Sequence, residues 1–445
     1  MGSRAGWIAL VAAFLLALLP AAKAQQTTPR SLTLQEAISL ALKQNLSVRI
    51  ASAQVDEARG TLERRRSSLL PHFNGDALAN RENIDLAALG ISFPQVPMVV
   101  RPFNHYDFRA SGSQSLIDRR AYHAWRASER QDEAAKLDYQ DARDLVVRQA
   151  AGLYLDAQSY AAEVEAAESR VTTSQTLEKL ARDQHAQGLA TAVDVVRAQV
   201  QLARDQQSVL VARDGYQTSL LALAHFLGLS PGTPLALAEP LKFHHVESAD
   251  ASHALETALE ARSDYGALLK QRDSLVEQLK ASRARYLPTL TVSGDYGAIG
   301  RGLNSLAGTG EIQGTLNVTL FDQDRAGEKT ELQGQLKRLN AQIDDLDREI
   351  EQELRKSVLD LESTENQVTV TEAGLHLAER ELTLAQDRFR NGVTDNIEVV
   401  TAQSSLANAQ DDHITALAQH ADAIMAMVRA LGGTEKIYQR YLSGP

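Results

Sequence analysis

The chain has 445 residues, with 46 Lys and Arg against 57 Asp and Glu, no cysteine, and only 5% aromatic residues. The lack of cysteine excludes disulfides, thiolate metal sites, thiol catalysis and a lipidated cysteine. A formal net charge of −11 argues against a general nucleic-acid binder, so no nucleic-acid partner is expected. Few aromatic residues and abundant helix formers favour long helices over a large compact enzyme.

The N-terminus has the pattern of a secretory signal peptide over residues 1–24. Arg4 precedes an apolar stretch from Trp7 to Leu19, and Ala22-Lys23-Ala24 fits a small-x-small cleavage site. The alternative is a retained anchor, although the stretch is short for a membrane span. No other segment approaches 18 consecutive apolar residues, so any membrane crossing by the mature chain is expected to use strands.

The rest of the chain is an internal duplication. Ser115-Leu116-Ile117-Asp118 is matched 204 residues later by Thr319-Leu320-Phe321-Asp322, and Gly188 is matched by Gly392. We therefore predict a first repeat over 25–228, a linker over 229–251, a second repeat over 252–432 and a tail over 433–445. In chain order, the first repeat is predicted to hold helices at 33–44 and 46–70, a non-helical region at 71–117, a helix at 118–187, a turn at 188–190 and a helix at 191–228. The second repeat is predicted to follow the same order at 252–261, 263–287, 288–321, 322–390, 391–394 and 395–431.

The longest predicted helices carry a narrow heptad seam. The seam residues step alternately by four and three, and each residue of the second repeat lies 204 residues after its counterpart: Val146, Ala150, Leu153, Ala157, Tyr160, Val164, Ala167, Val171 and Ser174, then Ile350, Leu354, Ser357, Leu361, Thr364, Val368, Thr371, Leu375 and Ala378. This pattern predicts knobs-into-holes packing. A helix of about 70 residues would be about 105 Å long. A polar surface around so narrow a seam suits the wall of a hollow tube or a free coiled coil.

The two non-helical regions alternate polar and apolar residues. In the second repeat, runs from Thr289 to Ala298 and from Ile312 to Leu320 alternate for about ten residues, the length of a transmembrane β-strand. In the first repeat, the run from Tyr106 to Leu116 is clear and that from Phe73 to Ala79 is weaker, with 81–105 predicted as an apolar loop. The alternative is a hairpin packed on a soluble core. Four strands cannot close a barrel, whereas three chains supply twelve.

These features together resemble the TolC-like outer-membrane efflux protein family. The resemblance rests on the duplication, the Leu-Pro joints, the two strand exits that end in Asp118 and Asp322, and the segments 188–196 and 392–400, which are similar to the family's hairpin tips. It implies a mainly α fold with membrane β-strands. Duplicated long coiled-coil hairpins and four strands per chain would trimerise into a 12-stranded β-barrel and a 12-helix α-barrel.

The resemblance also implies a location and partners. The protein would lie in the outer membrane of a Gram-negative bacterium and extend into the periplasm. It would be the passive exit duct of a tripartite efflux or type I secretion system, with an equatorial collar from the linker and tail, and would bind a periplasmic adaptor and an inner-membrane transporter. The alternative function is a soluble periplasmic coiled-coil adaptor, which would need one hairpin and a compact β domain.

The candidate site residues lie at the two predicted hairpin tips. Gly188 and Gly392 are expected in the left-handed conformation that ends a helix. Adaptor-docking tip residues implied by the resemblance are Gly188, Leu189, Thr191, Gly392 and Val393. Asp194 and Glu398 are equivalent acids with two interpretations, a capping box with Thr191 or Asp395 and a periplasmic gate. A further acid of some relatives is Thr401 here, so any ionic gate would be weaker or differently arranged.

No motif indicates an enzyme or a cofactor site. The sequence has no nucleophile elbow, phosphate loop or HExxH, and the glycine-rich stretch 294–310 does not open a helix. His244, His245, His413 and His420 do not have metal-ligand spacing, so solvated histidines are the favoured interpretation.

Overall fold

A computed structural model describes residues 30–86, 88, 90, 99–230, 232–246 and 251–442, without the side chains of 251–253. The predicted signal peptide lies outside these residues. No helix in these ranges is both long and apolar enough to cross a membrane.

The two repeats have the predicted order of elements. The first repeat comprises β1 (Arg30–Leu32), α1 (Leu34–Gln44), α2 (Leu46–Ser67), β2 (His72–Asp85), β3 (Val99–Ile117), α3 (Arg119–Ala186) and α4 (Ala192–Phe226). After β4 (Leu235–Leu237), the second comprises α5 (Ala251–Ala261), α6 (Ser263–Ala284), β5 (Thr289–Gly300), β6 (Ala307–Asn317), α7 (Asp324–Arg390) and α8 (Asn396–Leu431), followed by α9 (Thr434–Leu442).

The helices form two long hairpins that lie side by side. Helix α3 packs on α4 and α7 on α8, and α8 also packs against α3, which leaves α4 and α7 on the outside of the four-helix layer. The seam residues face these contacts: Val146, Ala150, Ala157, Ala167 and Ser174 are buried, as are Ile350, Leu354, Leu361, Val368 and Ala378. Other seam residues are less buried: Tyr160 is exposed, and Leu153, Val164, Val171, Thr364, Thr371 and Leu375 are half-buried.

Four long strands form one antiparallel sheet in the order β2-β3-β5-β6. The strands have 14, 19, 12 and 11 residues, so those of the first repeat are longer than the expected ten. The expected loop at 81–105 is wrong at both ends, because 81–85 and 99–105 are paired as strand. Antiparallel pairing to β3 extends β2 where alternation alone was weak.

A central core joins the repeats midway along the long helices. Ile38 of α1, Val147 and Tyr154 of α3, and Ile424 and Met425 of α8 are buried together. The Tyr154 hydroxyl donates a hydrogen bond to the Leu32 carbonyl oxygen at 3.0 Å, and strand β1 pairs in parallel with β4 of the linker. Strand β1 and the tail helix α9 were not predicted from the sequence.

One histidine departs from the expectation of solvated side chains. His420 is buried in α8, where its ring stacks on Phe243. Its Nδ1 lies 3.1 Å from the Thr364 hydroxyl and its Nε2 lies 2.9 Å from the His244 carbonyl oxygen. The interpretation as a solvated group is therefore wrong for His420, because the linker folds over the heptad seam at this level.

Candidate functional site: the hairpin tips and the sheet

Both hairpin tips are closed by the same glycine turn. Gly188 has a φ of 74° and Gly392 a φ of 69°, which confirms the predicted left-handed conformation. The amide of Leu189 donates to the Gln184 carbonyl at 2.9 Å, and that of Val393 donates to the Arg388 carbonyl at 2.9 Å. These six-to-one hydrogen bonds define Schellman motifs, for which a residue without Cβ is preferred.

The turns display apolar side chains at the end of the molecule. Leu189 is 69% exposed and Val393 is 66% exposed, and the backbone holds both just beyond a glycine. Thr191 is exposed at the start of α4, and Val193 and Ile397 add further exposed apolar surface beside the turns. The predicted tip residues are therefore all exposed at this end of the hairpins.

The two tips are fastened to each other by residues that sequence reasoning missed. The Gln184 side-chain amide donates to the Phe389 carbonyl oxygen at 3.1 Å, and the Asn396 amide donates to the Asp194 carbonyl oxygen at 2.8 Å. Phe389 and Val399 are buried beside these bonds with Leu177. The available signal was a break in the repeat, since Gln184 corresponds to Arg388 and Asn396 corresponds to Ala192.

Asp194 lies in a capping box, as predicted. Its carboxylate accepts from the Thr191 amide at 2.9 Å and from the Thr191 hydroxyl at 2.6 Å, with Arg197 at 3.4 Å. Burial works to raise the pKa of Asp194, but these hydrogen bonds and the positive charge of Arg197 outweigh it, so the pKa lies below its usual range. The carboxyl is thus held ionised and turned toward its own helix end.

Glu398 does not form the predicted capping box, and that expectation is wrong. Asp395 caps α8 by accepting from the Ile397 amide at 3.0 Å, one residue earlier than a capping box requires. The Glu398 carboxylate instead pairs with Arg388 at 3.1 Å and is 43% exposed. At this tip the positive charge of Arg388 attracts the Glu398 carboxylate away from the helix start. The corresponding residue of the first tip, Gln184, carries no charge and cannot attract Asp194 in this way.

The sheet has one polar face and one apolar face. On the polar face, Arg109 pairs with Asp107 and Asp295, which lie on neighbouring strands. On the other face, Phe73 is 80% exposed and Ile312 is 88% exposed, in one row across the sheet. An exposed apolar face of this width suits lipid, and the ionic face suits water.

A sheet with these two faces, joined to paired hairpins about 100 Å long, defines the class of outer-membrane channels with helical extensions. A family model described as "Outer membrane efflux protein" matches residues 37–229 and 254–433, and the chain belongs to that family. It is an efflux channel of the Gram-negative outer membrane. This assignment favours the channel over the soluble adaptor.

Relatives and solved structures agree with this assignment. The chain is 22% identical over 418 residues to "Probable efflux pump outer membrane protein TtgC" of Pseudomonas putida, covering 90% of this chain and 83% of the relative. The outer membrane protein VceC of Vibrio cholerae superposes with a TM-score of 0.79 at 20% identity, over 90% of this chain and 96% of that one. The Campylobacter jejuni CmeC channel gives a TM-score of 0.80 at 18% identity, over 93% and 90% of the two chains.

Proposed function

We propose that three copies of the chain form one continuous duct, and that its hairpin tips receive a periplasmic adaptor through which an inner-membrane transporter delivers substrates. The observation that carries the proposal is the open sheet. Among the described residues, β2 and β6 pair on one side only. Unpaired strand edges are very costly in lipid. Three four-stranded sheets supply twelve strands, an even number within the range of known barrels.

The outer edges of the helical layer also support packing between neighbouring chains. Helix α7 carries a heptad row of exposed apolar residues on its outer side, Val370, Leu377 and Leu384. Helix α4, on the opposite edge of the layer, exposes Val200, Leu210 and Leu221. Apolar rows with heptad spacing bury themselves against another helix, so α7 of one chain is expected to pack on α4 of the next.

Paired cysteines test the closure of the sheet, and the absence of native cysteine makes the result clean. We combine Asp76→Cys in β2 with a cysteine at Gln313, Thr315 or Asn317 in β6. The two edges of one sheet lie three strand spacings apart, about 14 Å, so a disulfide forms only between chains. One of the three combinations is expected to yield covalent trimers.

The control joins Asp76→Cys to Ala307→Cys at the far end of β6, where no cross-link is expected. If all three test combinations stay monomeric while the channel remains in the outer membrane, neighbouring sheets do not meet along these edges.

Docking is proposed for the surface formed by Gly188, Leu189, Thr191, Gly392 and Val393. We base this proposal on the exposure of all these residues at the end of the hairpins farthest from the sheet. Leu189→Asp with Val393→Asp is expected to lower recovery of the adaptor with the channel at least tenfold. The matched control is Leu303→Asp, at an equally exposed leucine beyond the sheet. Equal recovery for both variants would contradict docking at the tips.

Of the two acids considered for a periplasmic gate, Glu398 is the better candidate. Its carboxylate is exposed and held by one exposed arginine, whereas Asp194 is buried in its capping box. Glu398→Gln is expected to change the cation selectivity of the reconstituted channel, and Asp194→Asn is expected to change it less. The reverse order would remove Glu398 from the gate.

A further inference from the structure

The four joints between strands and helices combine apolar residues with arginines. Three of the joints expose large apolar residues next to the sheet and arginines in the adjoining helical turns, whereas the fourth exposes Leu320 and Phe321 beside a buried Arg325. Leu70 follows Arg64, Arg65 and Arg66 at the end of α2, and Ile117 precedes Arg119 and Arg120 at the start of α3. In the second repeat, Tyr286 and Leu287 follow Arg283, while Leu320 and Phe321 precede Arg325.

Six of these arginines are exposed and have no ion pair among the described residues. We call them the joint arginines: Arg64, Arg65, Arg66, Arg119, Arg120 and Arg283. Glu63, beside Arg64, is exposed and has no ion pair among the described residues, but the acids at the other joints are engaged. Asp118 caps α3, and Asp322, Asp324 and Glu328 all pair with Arg285. The joints are therefore a band of free positive charge in a chain whose net charge is −11.

The directions of these side chains argue against a purely internal role. Consecutive helical residues are about 100° apart around the axis, so Arg64, Arg65 and Arg66 cannot all face the same groove. Arg65 and Arg120 line a groove among α2, α3, α6 and α7 together with Glu57 and Glu328. Arg64 and Arg66 diverge to either side of it. Arg325 is not one of the free arginines, because it lies over the Tyr286 ring and donates to the Arg283 carbonyl oxygen within the joint.

We infer that the joint arginines bind the phosphate headgroups of anionic phospholipids in the leaflet on the hairpin side of the membrane. The apolar sheet face ends at these joints, and the exposed Leu70, Tyr286 and Phe321 mark the depth of the acyl chains. Guanidinium groups bind phosphate oxygens in bidentate fashion. A band of arginine just outside an apolar belt fits the level at which lipid phosphates lie.

The partner is identified by charge and by depth together. A soluble anion would match the charge but not the adjoining apolar side chains, whereas a phospholipid matches both. The inference rests on the outer-membrane location and not on the adaptor or the transporter.

The test variant is Arg64→Gln, Arg65→Gln and Arg66→Gln in the full-length channel, reconstituted in nanodiscs of phosphatidylcholine with or without phosphatidylglycerol. Native mass spectrometry counts the phosphatidylglycerol that remains bound after activation. One basic residue near an anionic surface changes binding about fivefold, so the triple variant is expected to lose phosphatidylglycerol by at least tenfold. Phosphatidylcholine retention is expected not to change.

The matched control is Arg338→Gln, Arg348→Gln and Arg380→Gln. These residues of α7 are also exposed and lack an ion pair in the described part of the chain, but they lie away from the joints. The control should retain phosphatidylglycerol, and a triple Arg→Lys variant at 64–66 should recover most of the binding because the positive charge is kept.

Three results would overturn the inference. One is equal loss of phosphatidylglycerol in the joint and control variants. The second is an altered ion selectivity of the joint variant without any change in lipid retention, since that would place the joint arginines along the water-filled passage. The third is displacement of phosphatidylglycerol from the wild-type channel by added inorganic phosphate, since that would indicate a site for anions in general.

Discussion

The two hairpin tips have the same backbone but treat their equivalent acids differently. Both end in a Schellman turn at glycine, yet Asp194 is buried in a capping box and Glu398 is exposed beside Arg388. The difference accompanies substitutions between the repeats, Gln184 for Arg388 and the N-cap Thr191 for Asp395. Duplication therefore preserved the turn, where backbone geometry is restrictive, and left the neighbouring charge free to diverge.

The largest expected effect tests what the tips share. Gly188→Val and Gly392→Val each place a β-branched residue at a positive φ, which costs about 2 kcal/mol. We expect the free energy of local opening, measured by hydrogen exchange at the Leu189 and Val393 amides, to fall by that amount at the mutated tip. Asparagine at either position serves as the control, because it tolerates this conformation better. An effect at only one tip would show that the turns are not equivalent.

Removing the capping acid tests how the tips differ. Asp194→Ala removes two hydrogen bonds at the start of α4, so local opening should become easier by about 1–2 kcal/mol. Glu398→Ala at the matching position should cost less, because Glu398 pairs with Arg388 and makes no capping bond at the start of α8. Hydrogen exchange over the first turns of α4 and α8 measures both. Equal losses would refute the assignment of different roles.

Acid should destabilise the first tip through protonation of Asp194. The pKa of folded Asp194 lies below the unfolded value of about 3.9, so its contribution to stability is complete above that value. The contribution is lost as the pH falls through the folded pKa. A spin label at Leu189→Cys should become more mobile in this acidic range. The Asp194→Asn variant should lack this step, and its persistence there would assign the transition to another group.

The smallest expected effect is the salt dependence of the second tip. The pair between Glu398 and Arg388 is exposed, so Glu398→Gln should change the stability of this tip by less than about 1 kcal/mol. The difference from wild type should shrink at 1 M salt, because screening acts on exposed charges. The same variant examined at low and high salt provides its own comparison, and a loss that is unchanged by salt would indicate a structural role for Glu398.

The sequence was sufficient where a rule acts locally or repeats. The heptad seam predicted the burial of residues such as Ala150 and Leu354, and the two glycines predicted their left-handed turns. Alternation located β5 to within two residues, whereas β6 begins five residues before and ends three residues before the predicted run from Ile312 to Leu320. These elements could be predicted because the hydrophobic period and the backbone conformation depend on residues that are close together in the sequence.

The remaining features depend on contacts between distant parts of the chain. Strands β1 and β4 have three residues each and pair across about two hundred residues, so periodicity has too few positions to reveal them. The burial of His420 depends on the linker, and the bonds made by Gln184 and Asn396 depend on the two tips lying side by side. The choice of Glu398 between a capping box and Arg388 likewise needs coordinates.

The central claim is that neighbouring chains close the sheet that one chain leaves open. Native mass spectrometry of the channel extracted from outer membranes in a mild detergent tests it most directly. We expect a particle of three chains that retains its strand content. A single chain with a fully folded sheet, stable in the same detergent, would contradict it.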